Sequence, residues 1–332
     1  MQGIRPRFAS GAGRRAFCQR MALAVAGGLM ARPVLAAAPR LKIGVTGLIW
    51  GATPRTPENL ELALPDMSSL GYHCFETWGS VMQALDAKGT LADLLAKYPI
   101  PFRSAFMGVN VHDPAKLKDS LAQVIAWGKV TRKYGGTFAV VNAGGVDRAA
   151  FDFKAARASI VSGLNEHGKA LQDLGLQAGL HQHTGSAVDS RDEVYAVMEA
   201  VDPRHMKFAP DVGQLQKAGA DAAKVVEDFL PIVVHMHLKD YSGGEPFLGY
   251  CPLGQGKVDL RKILQLVNDA HPEANVMYEL DGSKDAPLHT APDRRNQQGV
   301  PGQAGLRVPR LTAEIALDGR EGRRVGSRPT GK

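Results

Sequence analysis

The chain has 332 residues, 44% apolar and 22% charged, which excludes a wholly disordered, collagen-like or multi-spanning membrane protein. Its formal charge of +7 is unevenly placed: residues 1–38 carry +6, residues 291–332 carry +5, and the 252 residues between them carry −4. A basic total invites a nucleic-acid partner, and the acidic middle removes the support for one.

In chain order, the first segment, residues 1–38, reads as an export signal. Arg14-Arg15 precede Phe17, an apolar run follows from Met21 to Met30, and Val34 to Ala38 ends in small residues. A charged start, a short apolar stretch and an Ala-x-Ala ending form a cleavable secretory signal, and the paired arginines resemble a twin-arginine leader. Cleavage near Ala36 or Ala38 is expected, giving a periplasmic or secreted protein with no stable membrane insertion. A membrane anchor fits less well, because two glycines, Arg32 and Pro33 interrupt a run well short of ~20 residues. Cys18 leaves with the leader, and Cys74 and Cys251 make no disulfide framework.

Residues 39–290 then alternate short β-rich runs with helical spacing. The predicted strands are Leu41–Trp50, His73–Gly79, Pro101–Asn110, Thr137–Asn142, Leu176–His183, Met206–Leu215, Ile232–Tyr241 and Ala274–Asp281. The predicted helices between them are Pro57–Leu70, Met82–Tyr98, Ala115–Tyr134, Phe153–Leu174, Arg191–Val201, Ala222–Leu230 and Leu260–Ala270. Strands alternating with helices of ten or more residues imply parallel βαβ units. Eight strands, with no Gly-rich phosphate fingerprint after the first, favour a single closed (β/α)8 TIM barrel over an open dinucleotide-binding sheet. No convincing helix follows the eighth strand, so the eighth helix is missing or replaced.

Barrel enzymes work at the carboxyl ends of their strands, and five strand ends here are polar. They are Glu76-Thr77-Trp78, His181-Gln182-His183, Asp211-Val212-Gly213-Gln214, His235-Met236-His237-Leu238-Lys239 and Glu279. Strand alternation puts His181 with His183, and His235 with His237 and Lys239. If those faces point inward, imidazoles and carboxylates converge at one mouth. Such a nitrogen and oxygen set suits Mn²⁺, Mg²⁺, Co²⁺ or Zn²⁺. Any one of these histidines alone reads as a hydrogen-bonded barrel residue, Glu76 alone as a buried ion-pair partner, and Asp240 as a residue that closes a loop. Four such ends together are harder to reconcile with packing, since buried charges cost several kcal/mol each unless paired or metal-bound. Trp78 and Phe106 are expected in the pocket wall or core.

The run Leu180 to Tyr241 resembles the sugar phosphate isomerase/epimerase superfamily of xylose isomerase-like barrels, nearest to the inosose dehydratase branch. The segments "HQHTGSAVDSRDEVYAVMEAVDP", "PDVGQLQKAGAD", "VVHMHLKD", "PLGQGKVDL" and "YELDGSKDAPL" carry it. The resemblance implies a metal held by Asp211, His237 and Glu279. The strand-five ligand, usually a carboxylate in that family, falls here on His181 or His183, with His181 the expected ligand. It also implies proton transfer by Glu279, His183 or Lys239. Glu76, Trp78, His183, Gln214, His235 and Lys239 are expected to bind substrate.

The function expected is a divalent-metal-dependent sugar isomerase or epimerase, moving a proton next to the carbonyl of a keto sugar or cyclitol. An inosose-dehydratase-like or 3-keto-sugar lyase is the alternative outcome. An abasic-site endonuclease shares the superfamily but needs a basic groove, and a degenerate sugar-binding barrel is the non-enzyme alternative. Export favours a free or oxidised sugar over a phosphorylated one. Residues 291–332, rich in Arg, Gly and Pro, read as a poorly ordered tail unrelated to the family's ending, which leaves an apolar groove between the first and seventh helices.

Overall fold

A run such as Phe138-Ala-Val-Val-Asn142 has no polar face, so as a strand it must be covered on both sides, as parallel sheets are. The computed structural model describes residues 41–50, 55–244 and 247–281 and builds eight such strands into a nearly closed barrel. They are β1 (Lys42–Thr46), β2 (Phe75–Trp78), β3 (Phe102–Gly108), β4 (Phe138–Asn142), β5 (Gln177–Leu180), β6 (Lys207–Phe208), β7 (His235–Leu238) and β8 (Asn275–Tyr278). Their order is β6-β5-β4-β3-β2-β1-β8-β7, and all neighbouring pairs are parallel. Single bridges, Phe208 to Val233 and Asp211 to His237, join the two ends of that order, β6 and β7. The seam is thin because Pro210 has no N–H to give a ladder. Its carbonyl still accepts from His237 N at 2.9 Å.

The helices between the strands are α1 (Pro57–Ser69), α2 (Gly79–Ala87), α3 (Leu91–Lys97), α4 (Leu117–Lys133), α5 (Phe153–Asp173), α6 (Arg191–Met198), α7 (Val212–Lys217), α8 (Ala222–Phe229) and α9 (Leu260–Ala270). Side-chain caps start several of them. Asp152, Asp211, Asp221 and Asp259 each accept a backbone N–H of the first turn, and Ser190 with Glu193 forms a capping box. In α9, Leu260, Ile263, Leu264 and Val267 share the buried stripe expected of i, i+3, i+4, i+7 spacing.

Several expected elements differ in extent, among them the strand over Ile232–Tyr241, which shortens to His235–Leu238. The helix over Met82–Tyr98 divides into α2 and α3, because Gly89 takes a φ of +74° that continues no helix. The strand over Leu41–Trp50 ends at Thr46 and turns through a short 3₁₀ segment, Gly47–Ile49. The strand over Met206–Leu215 shortens to two residues before Asp211 caps α7. Inside the barrel, Phe138, Val140 and Ala209 pack together with Phe106 and Val234 against them. Gly179 makes room for this layer, since a Cβ there would lie 2.8 Å from the Phe138 ring and 2.9 Å from Ala209. The expected leader, residues 1–38, the tail, residues 291–332, and any eighth helix fall outside the described residues.

Candidate active site

The carboxyl ends of β2, β5, β6, β7 and β8 bring their polar side chains to one mouth. On β7 the alternation His235, His237, Lys239 points all three inward at successive depths, each essentially buried. His235 lies deepest, its ring stacked on Phe138 at 4.5 Å and 4°. His237 Nε2 donates to Glu76 Oε1 at 2.7 Å and His237 Nδ1 to Glu279 Oε2 at 2.9 Å. Burial opposes charge on His237, but these two carboxylates overcome it and hold its pKa well above the imidazole value.

Lys239 is the most deeply committed cation. Its Nζ lies 2.8 Å from Asp211 Oδ2, 2.7 Å from Glu279 Oε2 and 3.1 Å from Asp281 Oδ2, with the Tyr250 ring 4.9 Å away. Its stem passes over Gly213, where a Cβ would meet it at 2.7 Å. The three carboxylates outweigh burial and keep its pKa well above that of a free lysine. Lys239, expected to meet substrate and move protons, is instead fully buried and locked as an ammonium that holds the carboxylates in place.

Asp211 divides its oxygens between two tasks. Oδ1 caps α7 through Gln214 N at 3.0 Å, and Oδ2 takes Lys239. Gln182 continues the β5–β6 edge beyond its ladder, giving Nε2 to Asp211 O at 2.7 Å and accepting from Asp211 N at 3.3 Å. His181 Nδ1 donates to Ala209 O at 2.9 Å, which leaves Nε2 facing Asp211 Oδ2 at 3.8 Å. Burial, and then the charge of His237, push His181 down to about 3, so it is neutral with a lone pair turned into the site. Asp211 and Glu279 are both pulled below the usual carboxylate range, their burial outweighed chiefly by Lys239 for Asp211 and by His237 for Glu279.

A cavity of about 350 Å³ opens above this cluster, and Glu76, Trp78, Phe106, His181, His183, His237, Glu279, Asp281 and Arg55 are among its lining. Of the residues expected to bind substrate, Glu76, Trp78 and His183 reach it. Gln214, His235 and Lys239 lie behind its wall. Gln214 accepts Thr184 Oγ1 at 2.6 Å and gives its amide to His183 Nε2 at 2.6 Å. His183 Nδ1 therefore carries the proton and donates to Thr184 O at 3.0 Å, so both of its nitrogens are engaged. Asp240 closes a loop, as expected, by accepting the N–H groups of Tyr241, Gly254, Gly256 and Val258.

Asp281 and Arg55 are cavity residues not picked out from the sequence. Asp281 follows Glu279 by two positions and so shares its face, the signal that could have found it. Burial raises its pKa, against the pull of Lys239. The Arg55 guanidinium sits 5.2 Å from the Trp78 ring, and the strongest influence on it is burial, which lowers its pKa.

His181, Asp211 and His237 form a donor set that would hold one divalent cation, with Glu279 Oε2 beside it, 2.9 Å from His237 Nδ1. One donor atom each from His181, Asp211 and His237 lie within 4.8 Å of one another.

Known proteins share this arrangement of elements. A model of the xylose isomerase-like TIM barrel family matches residues 64–298. Inosose dehydratase of Geobacillus kaustophilus is 28% identical over 192 residues, 53% of this chain and 60% of that protein, so the match spans less than two thirds of the relative. The 3-keto-D-glucoside 4-epimerase of Escherichia coli superposes with a TM-score of 0.58 at 16% identity, covering 74% of this chain and 94% of that one. A xylose isomerase-like TIM barrel protein of Mycobacterium smegmatis, solved in complex with magnesium, superposes at 0.60 and 16% identity, covering 84% and 96%.

Proposed function

The chain belongs to the xylose isomerase-like TIM barrel family, and we propose that it is a divalent-metal-dependent enzyme that removes a proton next to the carbonyl of a sugar or cyclitol and expels water from the adjoining carbon. The observation that carries this is the meeting of His181, Asp211, His237 and Glu279 donors at the ends of four consecutive strands, under a cavity of sugar size. A divalent ion bound there supplies Lewis-acid polarisation of the carbonyl, which acidifies the neighbouring C–H.

The chain's own groups do the rest. Glu279 lines the cavity and takes the proton from carbon. The freed electron pair forms C=C as the C–O bond of the leaving hydroxyl breaks, and Asp281 protonates the departing oxygen to water. Lys239 fixes both carboxylates without titrating. Trp78 and Phe106, 6.3 Å apart, offer aromatic faces to the substrate ring.

Elimination is favoured over epimerisation by placement. Glu279 and Asp281 stand side by side on one wall, whereas epimerisation needs a second proton carrier on the far face. There His183 has both nitrogens engaged. The resemblance to inosose dehydratase points the same way. Three carboxylates against one arginine in the cavity wall oppose a phosphorylated substrate, in keeping with the export expected from residues 1–38. The test is incubation of the metal-loaded protein in heavy water with a panel of keto sugars and inososes. A product lighter by one water supports the proposal. A deuterated epimer that keeps all its hydroxyls replaces elimination with epimerisation, and no exchange on any candidate leaves a sugar-binding barrel.

A further inference from the structure

Glu76 lines the cavity but has no oxygen left for a substrate. Its Oε1 accepts from His237 Nε2 at 2.7 Å. Its Oε2 accepts the Ser104 hydroxyl at 2.6 Å and lies 3.0 Å from His235 Nε2. The side chain is 2% exposed. On the other edge of the His237 ring, Nδ1 faces Glu279 within the donor set. An imidazole that binds a cation through one nitrogen has the opposite N–H to give. A carboxylate receiving it fixes the tautomer and the ring rotation and strengthens the donor.

We propose that Glu76 is a positioning residue of the metal centre that acts through His237 and is itself held by Ser104, with the His235 ring packed beside it. The proposal rests on the metal-dependent reading given above. Ser104 on β3 pairs in register with Glu76 on β2, so the sheet delivers the hydroxyl to the carboxylate without help from a loop. His235 is wedged beneath by its stack on Phe138, which prevents Glu76 from sinking into the apolar layer. The chain of contacts crosses the barrel interior from β3 through β2 to β7 and ends on the donor set.

Glu76, His235 and His237 could instead hold a second ion, since a donor atom from each lies within 4.8 Å of the others. The metal stoichiometry measured below separates the two arrangements: one ion per chain fits Glu76 as a partner of His237, and two ions fit Glu76 as a ligand.

The test uses Co²⁺ with the full chain, reading affinity by equilibrium dialysis and geometry by the visible absorption of the bound ion. Glu76→Gln keeps the size and removes the charge. It is expected to weaken Co²⁺ binding about 10- to 100-fold and to change the visible spectrum. Ser104→Ala disturbs only the hold on Glu76, and its expected loss lies between wild type and Glu76→Gln. It decides the matter if Glu76→Gln does not fold. Wild-type affinity and spectrum in both variants would overturn the positioning role while leaving the metal reading intact. A stoichiometry of two, falling to one in Glu76→Gln, would overturn it in favour of a second site. A wild-type chain that binds no Co²⁺ would overturn the metal reading, and the positioning role with it.

Discussion

Strands β4 and β7 meet inside the barrel where Phe138 stacks on His235, and they show two ways of filling the same kind of space. Both are buried along their whole length. β4 is Phe-Ala-Val-Val-Asn and needs only to exclude water. β7 is His-Met-His-Leu, followed by Lys239, and each inward side chain there must find a charged or polar partner, because an unpaired buried charge costs several kcal/mol. The hydrocarbon strand is a wall. The imidazole strand is stable only as part of a network that reaches Glu76, Asp211, Glu279 and Asp281, and that network is the candidate catalytic centre.

The largest effect should come from breaking that network at its hub. His237→Ala removes the residue that joins Glu76 to Glu279. It should cost about 10²–10⁴-fold in kcat, whereas Val140→Ala on β4 should leave kcat within a few-fold of wild type. Comparable losses from the two variants, measured on whichever sugar proves active, would erase the contrast between the strands.

Lys239→Met comes next. It leaves Asp211, Glu279 and Asp281 facing one another without their shared cation. Breaking a buried pair in this way costs about 3–5 kcal/mol, measurable by urea unfolding of the metal-free protein. An unchanged midpoint would mean that the carboxylates never depended on the ammonium. On the apolar side, Val140→Ala should cost roughly 1–3 kcal/mol, from lost burial and a small cavity, with no dependence on added metal.

The smallest effect is a response to pH that β4 cannot have. His181 is held down to about 3, first by burial and then by the charge of His237. An unfolded histidine titrates near 6.5. Between those values the unfolded chain binds a proton that the folded chain refuses, so stability falls as pH drops from about 6.5 toward 3, by at most about 1.4 kcal/mol per pH unit. Asp211 and Glu279, both depressed, add the same sign below about 4. His237 acts in the opposite sense, because its raised pKa stabilises below 6.5 and that contribution fades as pH rises through the folded value. Comparing wild type with His181→Gln isolates the first contribution. A variant with an undiminished loss of stability between pH 6.5 and 4.5 would show that His181 is not held neutral.

Much of this contrast is legible in the sequence, and the reasons are particular. Eight strands can be counted because parallel strands covered on both faces read as short apolar runs between helices. The mouth can be located because His181, Asp211, His237 and Glu279 interrupt such runs at their ends. Depth is harder to see. Alternation puts His235, His237 and Lys239 on one face but does not say that Lys239 is sealed by three carboxylates, all of them from other strand ends. Ser104 lies inside an ordinary β-run, and its meaning depends on the register with Glu76. Gly89 hides a helix break because its positive φ leaves no mark in the hydrophobic period. Pro210 shortens β6 through a missing N–H that only the neighbouring strand reveals.

The most direct measurement is solvent deuterium exchange into a substrate carbon next to the carbonyl, followed in the metal-stripped protein and again after Mn²⁺, Mg²⁺, Co²⁺ or Zn²⁺ is returned. Exchange should be absent from the stripped protein and restored by at least one of these ions, and it should be lost again in Asp211→Asn. Exchange that proceeds equally well without metal, or survives intact in Asp211→Asn, would contradict the account of the mouth as a metal-dependent proton-transfer centre.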